Sequence, residues 1–150
     1  MRLLGNIEAK TDVKGRVFLP ATFRKVLQAS GDEYLALRKD VYQPCLVLYP
    51  EKMWNEQLDA LRSRLNRWDP NDQQIFRQYL YGVEIIVPDS SGRILIPKKY
   101  LQATGIDQSL RFIGMGDYIE IWNLEDVKKP FVSQEEFTKA LQSLMGNPLI

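Results

Sequence analysis

The chain has 150 residues, of which 45% are hydrophobic, and its formal net charge is +1. This composition is sufficient for one hydrophobic core, or for two small cores fused together, and it argues against a disordered chain. No apolar run approaches the roughly 18 to 20 residues that cross a bilayer, and residues 1–10 lack the apolar segment of a secretory signal, so we expect a cytoplasmic protein without a membrane partner.

The first fifty residues predict a strand, a tight turn, a second strand, a helix and a hairpin. Asp at the first position of the turn Asp12–Gly15 accepts local backbone hydrogen bonds, and Gly at its last position tolerates a left-handed backbone. Arg16 leaves the tip of this turn, and Pro20 ends the return strand and begins a helix that stops at Ser30. The predicted strands are residues 7–11, 17–19, 35–38 and 45–49.

Two amphipathic helices are predicted next. Pro50 suits the first position of one helix, and Asp69 followed by Pro70 begins the other. Their apolar residues recur at helical spacing, which indicates ordinary packing. The stripe of the first helix comprises Trp54, Leu58, Leu61 and Leu65.

From residue 83 onward the chain repeats its first pattern. The segment DVKGRVFLPATF, from Asp12 to Phe23, returns 77 residues later as DSSGRILIPKKY, from Asp89 to Tyr100. Both copies keep Asp, Gly, Arg and Pro at the same spacing, and the predicted strands of the second copy are residues 83–87, 93–96, 110–114 and 118–122. A period this long indicates two copies of one supersecondary unit, so we expect function at the two turns.

The C-terminal tail predicts one more helix. Ser133 followed by Glu136 is a capping-box pattern, and Phe137, Leu141 and Leu144 lie on one helical face. Such a helix packs either on its own chain or on a neighbouring one.

Positive charge is concentrated near the N-terminus. Residues 1–28 carry a net charge of +4, and the remainder carries −3. This asymmetry indicates contact with a polyanion, although a solvated charged face is the alternative. The six cations of this segment are Arg2, Lys10, Lys14, Arg16, Arg24 and Lys25.

The turns offer the geometry that polyanion binding needs. Arg16 at a rigid tip can direct two hydrogen bonds to a phosphate or to a guanine edge, and the neighbouring Lys14 adds a positive charge. Arg24 and Lys25, about one helical turn after Pro20, extend the same basic surface. These residues are the candidate binding residues of the first copy.

An internal role for the arginines is the alternative. Arg16 and Arg93 each follow an aspartate by four residues, so ion pairs with Asp12 and Asp89 can stabilise the turns and do nothing else. Arg93 has a less basic setting, because serines precede it and the positions that match Arg24 and Lys25 are not basic. Equal roles for the two turns are therefore an open question.

Catalytic chemistry is not indicated. Histidine is absent, which removes Ser-His and Cys-His pairs and imidazole metal ligands. Asp12 and Asp89 lack the Asp-Ser/Thr-Gly context of a protease dyad, and the arginine near each favours its ionised form. Cys45 lies in the apolar run CLVLY and is expected to be an inert buried thiol. We expect no enzyme, no cofactor, no metal and no small-molecule ligand.

The doubled pattern Asp-x-x-Gly-Arg-(apolar)3-Pro, with IEIW closing the second copy, resembles the MraZ family of the SpoVT-AbrB superfamily over essentially the whole chain. The resemblance implies an α+β fold in which tandem AbrB-like swapped-hairpin units form a small pseudo-twofold β-barrel flanked by helices. The corresponding regions are a first unit at 1–50, a helical connector at 51–82, a second unit at 83–126 and a helical tail at 127–150.

The resemblance also implies a function. It suggests a bacterial, nucleoid-associated transcriptional regulator that binds double-stranded DNA at repeated promoter elements of division and cell-wall gene clusters, and that assembles into a homo-oligomeric ring. In that family the Asp-x-x-x-Arg turns are held to contact DNA, which corresponds here to Asp12 with Arg16 and to Asp89 with Arg93. The alternative is an interaction scaffold or antitoxin-like module that uses its helical stripes and does not bind DNA.

Overall fold

The computed structural model describes residues 2–146, in which eight strands and five helices follow the order of the two predicted copies. The strands are β1 (Asn6–Lys10), β2 (Arg16–Phe18), β3 (Leu35–Lys39), β4 (Leu46–Pro50), β5 (Glu84–Ile86), β6 (Arg93–Leu95), β7 (Ser109–Gly114) and β8 (Ile119–Asn123). The helices are α1 (Ala21–Ser30), α2 (Glu51–Ser63), α3 (Pro70–Tyr81), α4 (Lys98–Ala103) and α5 (Gln134–Gly146), with a 3-10 turn at Leu124–Val127.

The strands form two antiparallel sheets. Six of them have the order β1-β7-β8-β4-β3-β5, and β2 pairs with β6 in a separate two-stranded ribbon. Among the described residues, four of the six ladders join the first copy to the second: β1 with β7, β2 with β6, β3 with β5 and β4 with β8. Each half of the sequence therefore completes the sheet of the other half.

This pairing differs from a simple local hairpin at each turn. The turn Asp12–Gly15 forms as predicted, with the Gly15 N–H donating to the Asp12 carbonyl at 3.1 Å. The strands on either side then separate, because β1 pairs with β7 and β2 pairs with β6. Alternation of buried and exposed residues cannot identify a strand's partner, so the pattern in the sequence leaves this choice open.

One hydrophobic core lies between the two copies. Val17 and Ile94 face each other across the ribbon and are 2% and 1% exposed. Phe23 on α1 contacts Phe112 on β7 edge to face, with ring centroids 6.4 Å apart. Apolar residues at matching positions of the repeat therefore pack into shared rather than separate cores.

Most predicted helix ends are confirmed. Asp69 caps α3 by accepting a hydrogen bond from the Asn71 N–H at 2.9 Å, and the Ser133 hydroxyl accepts one from the Glu136 N–H at 3.1 Å. Pro50 is an exception, because it is the last residue of β4 and precedes the first residue of α2. Its fixed φ suits the exit from the strand as well as the start of a helix.

The α+β fold class is confirmed, but the barrel is not seen. The order of the large sheet has β1 and β5 at its two ends, and no ladder within residues 2–146 joins them. The closed barrel and the four-region division of the chain stay predictions, and residues 147–150 of the predicted tail lie outside the described residues. Within residues 2–146, no helix combines the length and the apolar character needed to span a bilayer.

Candidate nucleic-acid interface

Turn 1, which we define as Asp12–Arg16, is held together by its aspartate. Asp12 Oδ1 accepts hydrogen bonds from the backbone N–H groups of Lys14 and Arg16, each at 2.9 Å. Asp12 Oδ2 accepts a third from Arg16 Nε at 2.7 Å. The internal ion pair considered from the sequence therefore exists, and it occupies only the Nε edge of the guanidinium.

Turn 2, defined as Asp89–Arg93, reproduces this arrangement. Asp89 Oδ1 accepts from the N–H groups of Ser91 and Arg93 at 2.9 Å, and Asp89 Oδ2 accepts from Arg93 Nε at 2.9 Å. The side chains of Arg16 and Arg93 are 35% and 30% exposed. Within residues 2–146, nothing else accepts a hydrogen bond from their terminal amino groups, which remain available to a ligand.

The ionised form of both aspartates is favoured. The hydrogen bond from the Arg16 backbone N–H, followed by those from its side chain and from Lys14, holds the pKa of Asp12 below its ordinary value. The corresponding groups of Arg93 and Ser91 lower the pKa of Asp89. Each turn thus keeps a charged carboxylate that fixes the orientation of its arginine.

The two arginines lie on one face of the β2–β6 ribbon. Arg16 is directly opposite Leu95, and Arg93 is directly opposite Phe18, so these four side chains share the outer face. Phe18 and Leu95 are 60% and 52% exposed, while Val17 and Ile94 point into the core. The ribbon therefore presents two cations and two apolar groups in a pattern with approximate twofold symmetry.

Phe18 and Leu95 were not among the residues selected from the sequence. Both lie in the apolar runs between arginine and proline, and such runs are typical of buried strands. The two-residue period of a β-strand is the signal that could identify them, because a buried Val17 or Ile94 requires its neighbours on both sides to face outward.

Reciprocal hydrogen bonds connect each turn to the other copy. The Leu19 N–H donates to the Gly92 carbonyl, and the Ile96 N–H donates to the Gly15 carbonyl, both at 2.9 Å. Gly15 and Gly92 have φ angles of +88° and +84°, in the left-handed region that favours glycine. The turns are therefore rigid supports and not free loops.

Arg24 lies beside turn 2 and not beside the turn of its own copy. A Cβ atom on Gly92 would overlap the Arg24 guanidinium, so that group lies directly against turn 2. Arg24 is half-buried, and its buried Nε has no hydrogen-bond partner among the described residues. The expectation that Arg24 extends the basic surface around Arg16 is corrected, since strand exchange brings α1 to the other turn.

The equivalent position beside turn 1 is apolar. Leu101 of α4 matches Arg24 in the repeat, and its Cδ1 would lie 3.5 Å from a Cβ on Gly15. Lys98 and Gln102 line a shallow groove of about 440 Å³ against the same turn. Each turn thus receives a helix from the opposite copy, with different side chains on it.

The other two candidate basic residues of the first copy, Lys14 and Lys25, are exposed. Lys14 lies within turn 1, and Lys25 lies on α1 next to Arg24. Gln102, which matches Lys25 in the repeat, lines the groove at turn 1, and we therefore expect Lys25 near turn 2. By this relation, the positive charge near turn 1 comes from its own Lys14, and the positive charge near turn 2 comes from Arg24 and Lys25 of α1.

The described residues contain no cluster suited to a metal, and their cysteine is buried. No group of three or more Cys, Asp or Glu residues with a geometry suited to a metal occurs in the part of the chain that the structure describes. Cys45 is buried, and burial is the main cause that raises the pKa of its thiol to about 12. A thiol with this pKa is not a nucleophile at neutral pH.

A family model described as "MraZ protein, putative antitoxin-like" matches residues 3–78 and again residues 80–146. The chain belongs to the MraZ family. The two matches cover the two copies of the repeat, and the resemblance seen in the sequence is confirmed.

Curated relatives of the MraZ family agree with this assignment. A protein of Phocaeicola vulgatus named "Transcriptional regulator MraZ" is 60% identical over 97% of this chain and 95% of its own length. Proteins with the same name from Bacteroides thetaiotaomicron and Flavobacterium psychrophilum are 57% and 32% identical, and the matches cover 98% and 97% of this chain and 94% and 92% of the relatives. That name describes a role other than catalysis, in agreement with the prediction that the chain is not an enzyme.

Proposed function

We propose that this protein is a transcriptional regulator that binds double-stranded DNA through the outer face of the β2–β6 ribbon and the two turns that flank it. The observation that carries the proposal is the arrangement of Arg16 and Arg93. Each guanidinium is oriented by an aspartate at its Nε edge, and each keeps its terminal amino groups available on the same exposed face. The names of the MraZ relatives support a role in transcription.

A two-stranded ribbon has suitable dimensions for this role. The major groove of B-DNA admits such a ribbon, and arginine can donate two hydrogen bonds to a guanine edge or to a phosphate. Phe18 and Leu95, exposed between the arginines, offer apolar contacts of the kind that thymine methyl groups accept. Lys14, Arg24 and Lys25 then serve as phosphate contacts that position the ribbon.

The proposed operator consists of repeated elements in promoters of division and cell-wall genes, bound by a ring of copies on the nucleoid. One ribbon buries a small surface and supplies few phosphate contacts, so a single copy is expected to bind weakly. Several linked ribbons that engage successive repeats raise the overall affinity without any new contact. Affinity should therefore depend on salt and on assembly.

The test is DNA binding by variants that keep the fold. Genomic fragments retained by the wild-type protein are identified first, and affinities for the retained fragment are then measured by fluorescence anisotropy at two salt concentrations. Arg16→Ala and Arg93→Ala should each cost about 1–3 kcal/mol if the arginines contact base edges. Arg64→Ala, an exposed arginine at the end of α2, is the matched control and should bind as the wild type does.

Circular dichroism and thermal melting establish that each variant is folded. A folded Arg16→Ala/Arg93→Ala double variant with undiminished affinity would overturn the proposal. Stoichiometric capture of a protein with no DNA retained at either salt concentration would favour the interaction scaffold instead.

A further inference from the structure

The tips of the two turns present different side chains on the same backbone. Val13, directly after the aspartate of turn 1, is 94% exposed, and no large hydrophobic side chain within residues 2–146 is more exposed. Ser90 holds the matching position of turn 2 and is exposed as well. A single exposed apolar residue is ordinary on a protein surface, but this one lies three residues from Arg16, at the tip of a turn proposed to face DNA.

Turn 1 holds Val13 in a defined place. The backbone N–H groups of Lys14 and Arg16 both donate to Asp12 Oδ1 at 2.9 Å, so the chain is fixed on either side of the valine. A β-branched side chain also has few accessible rotamers. An apolar group that is already ordered loses little conformational entropy when a ligand covers it.

Helix α4 brings an amide to the same place. Gln102 lines the groove of about 440 Å³ at turn 1, and Val13 lines it too. The Gln102 side chain is exposed, and within residues 2–146 its amide makes no hydrogen bond. Lys25 is the residue that matches Gln102 in the repeat, so turn 2 has no equivalent pair of an apolar group and an amide.

An A·T base pair is the ligand that suits an apolar group beside an amide. In the major groove thymine exposes its C5-methyl group, and adenine exposes the N7 acceptor and the N6 amino donor, which a glutamine amide can bind with two hydrogen bonds. Ser90 and Lys25 offer a hydroxyl and a charge instead, which suit phosphates. The two ends of the ribbon therefore differ in what they can read.

This difference bears on the direction of the ribbon along a duplex. Arg16 and Arg93 exchange places under the approximate twofold symmetry of the ribbon, and so do Phe18 and Leu95. Phosphate contacts carry no sequence information, so they cannot distinguish the two directions in which such a ribbon can lie. A base contact made at one end alone can do so.

We propose that Val13 and Gln102 together read one A·T base pair, with Val13 against the thymine methyl group and Gln102 on the adenine edge. This contact fixes the direction of the ribbon on the duplex. The inference rests on the proposed function and adds two specificity-determining residues to it, and its test changes single atoms of the DNA as well as the protein.

The probe is a synthetic duplex with the sequence of the genomic fragment that wild-type protein retains. Each thymine in turn is replaced by deoxyuridine, which removes the methyl group, and each adenine by 7-deazadeoxyadenosine, which removes the N7 acceptor. At one A·T pair we expect wild-type affinity to fall about fourfold without the methyl group and about fivefold without N7, as for one buried methyl group and one hydrogen bond.

Two variants identify the protein side of each contact. Val13→Ser, which installs the residue of turn 2, should no longer respond to deoxyuridine at that pair, and Gln102→Ala should no longer respond to 7-deazadeoxyadenosine there. Val41→Ser and Gln43→Ala make comparable changes at exposed positions between β3 and β4 and should keep both responses. Thermal melting establishes that all four variants are folded.

Exchange of the two ends tests the direction. A variant with Val13→Ser, Ser90→Val, Gln102→Lys and Lys25→Gln carries the reading pair at turn 2 and not at turn 1. Its sensitive A·T pair should move to the opposite side of the base pairs that the two arginines contact. A sensitive pair that stays in place would overturn the assignment of direction.

Other results would overturn the base contact itself. These are a wild-type protein that binds the duplex but responds to no single thymine, a Val13→Ser or Gln102→Ala variant that keeps its response, and two responses that lie in different base pairs. Failure of the proposed function has another signature, because it leaves wild-type protein without a bound duplex or the Arg16→Ala/Arg93→Ala variant with undiminished affinity.

Discussion

Turn 1 and turn 2 have the same internal structure and different surroundings. In both, an aspartate binds two backbone N–H groups and the Nε of an arginine, at distances that agree within 0.2 Å. Turn 1 carries Lys14 in its own sequence and has Leu101 beside its glycine. Turn 2 has Ser91 at the position that matches Lys14 and has Arg24 beside its glycine.

The charge around a turn therefore depends on both copies of the repeat. The sequence of the second copy is less basic around its turn than the sequence of the first copy. Strand exchange carries α1 of the first copy to turn 2, and Arg24 provides the cation that the second copy lacks. Four variants or pairs of variants test this account of the two turns.

The largest expected difference is in stability, between Gly15→Ala and Gly92→Ala. Both introduce a side chain at a positive φ, which costs about 1 kcal/mol. At Gly15 the new Cβ would also lie 2.6 Å from the Ile96 carbonyl oxygen, which is backbone and cannot move freely. We expect a loss of about 3 kcal/mol in the free energy of unfolding at Gly15, measured by urea denaturation.

At Gly92 the obstacle is the flexible end of the Arg24 side chain, so we expect a smaller loss of about 1 to 2 kcal/mol. Arg24→Ala combined with Gly92→Ala is the control, because it removes the obstacle and should leave only the backbone cost. Equal losses at Gly15 and Gly92 would contradict the assignment of Arg24 to turn 2.

Arg24→Leu should weaken DNA binding by about 1 kcal/mol and reduce the log-log salt slope by about 0.9, since one phosphate contact is lost. Leucine is the residue at the equivalent position of α4, so the substitution gives turn 2 the surroundings of turn 1. The reverse change, Leu101→Arg, should increase both quantities if turn 1 also lies near a phosphate. Fluorescence anisotropy at several salt concentrations measures both, and an unchanged slope in folded Arg24→Leu would count against a DNA contact by Arg24.

A smaller effect is expected from exchanging the residues that precede the turn glycines, Lys14 and Ser91. Lys14→Ser removes an exposed charge from turn 1, and Ser91→Lys adds one to turn 2. Because the lysine is exposed and flexible, we expect changes in affinity of under about 1 kcal/mol, in opposite directions. The double exchange should restore the wild-type salt slope if the two turns face equivalent phosphates, and it should fail to do so if only one turn contacts DNA.

The smallest difference between the turns is expected in acid, since both aspartates have a lowered pKa for the same reason. A lowered pKa means that the contribution of each carboxylate to stability is present above the ordinary Asp pKa and is lost as the pH falls through the lower value. NMR titration of the side-chain carboxyls should give low and similar pKa values for Asp12 and Asp89. Arg16→Ala should raise the pKa of Asp12 alone, and a shift at both aspartates would show that the turns are coupled.

Much of the fold follows from local patterns. The spacing of Asp, Gly, Arg and Pro predicts both turns, and the Asp69-Pro70 and Ser133/Glu136 signals predict the starts of α3 and α5, because these features depend on residues close together in the chain. The bounds of most strands agree within one or two residues with the apolar runs between the turn signals. Arg16 and Arg93 were selected for the same local reason, since each follows an aspartate by four residues.

Partner choice is the part that local patterns leave open. The pattern of strand β1 is compatible with pairing to β2 or to β7, and only the structure shows that β7 is its partner. The position of Arg24 depends on that choice, and so does the common outer face of Phe18, Leu95 and the two arginines. The sequence determined the two turns, because a turn is set by the conformational preferences of four or five consecutive residues. Only the tertiary structure decided which helix accompanies which turn, because that depends on burying the apolar faces of both copies in one core.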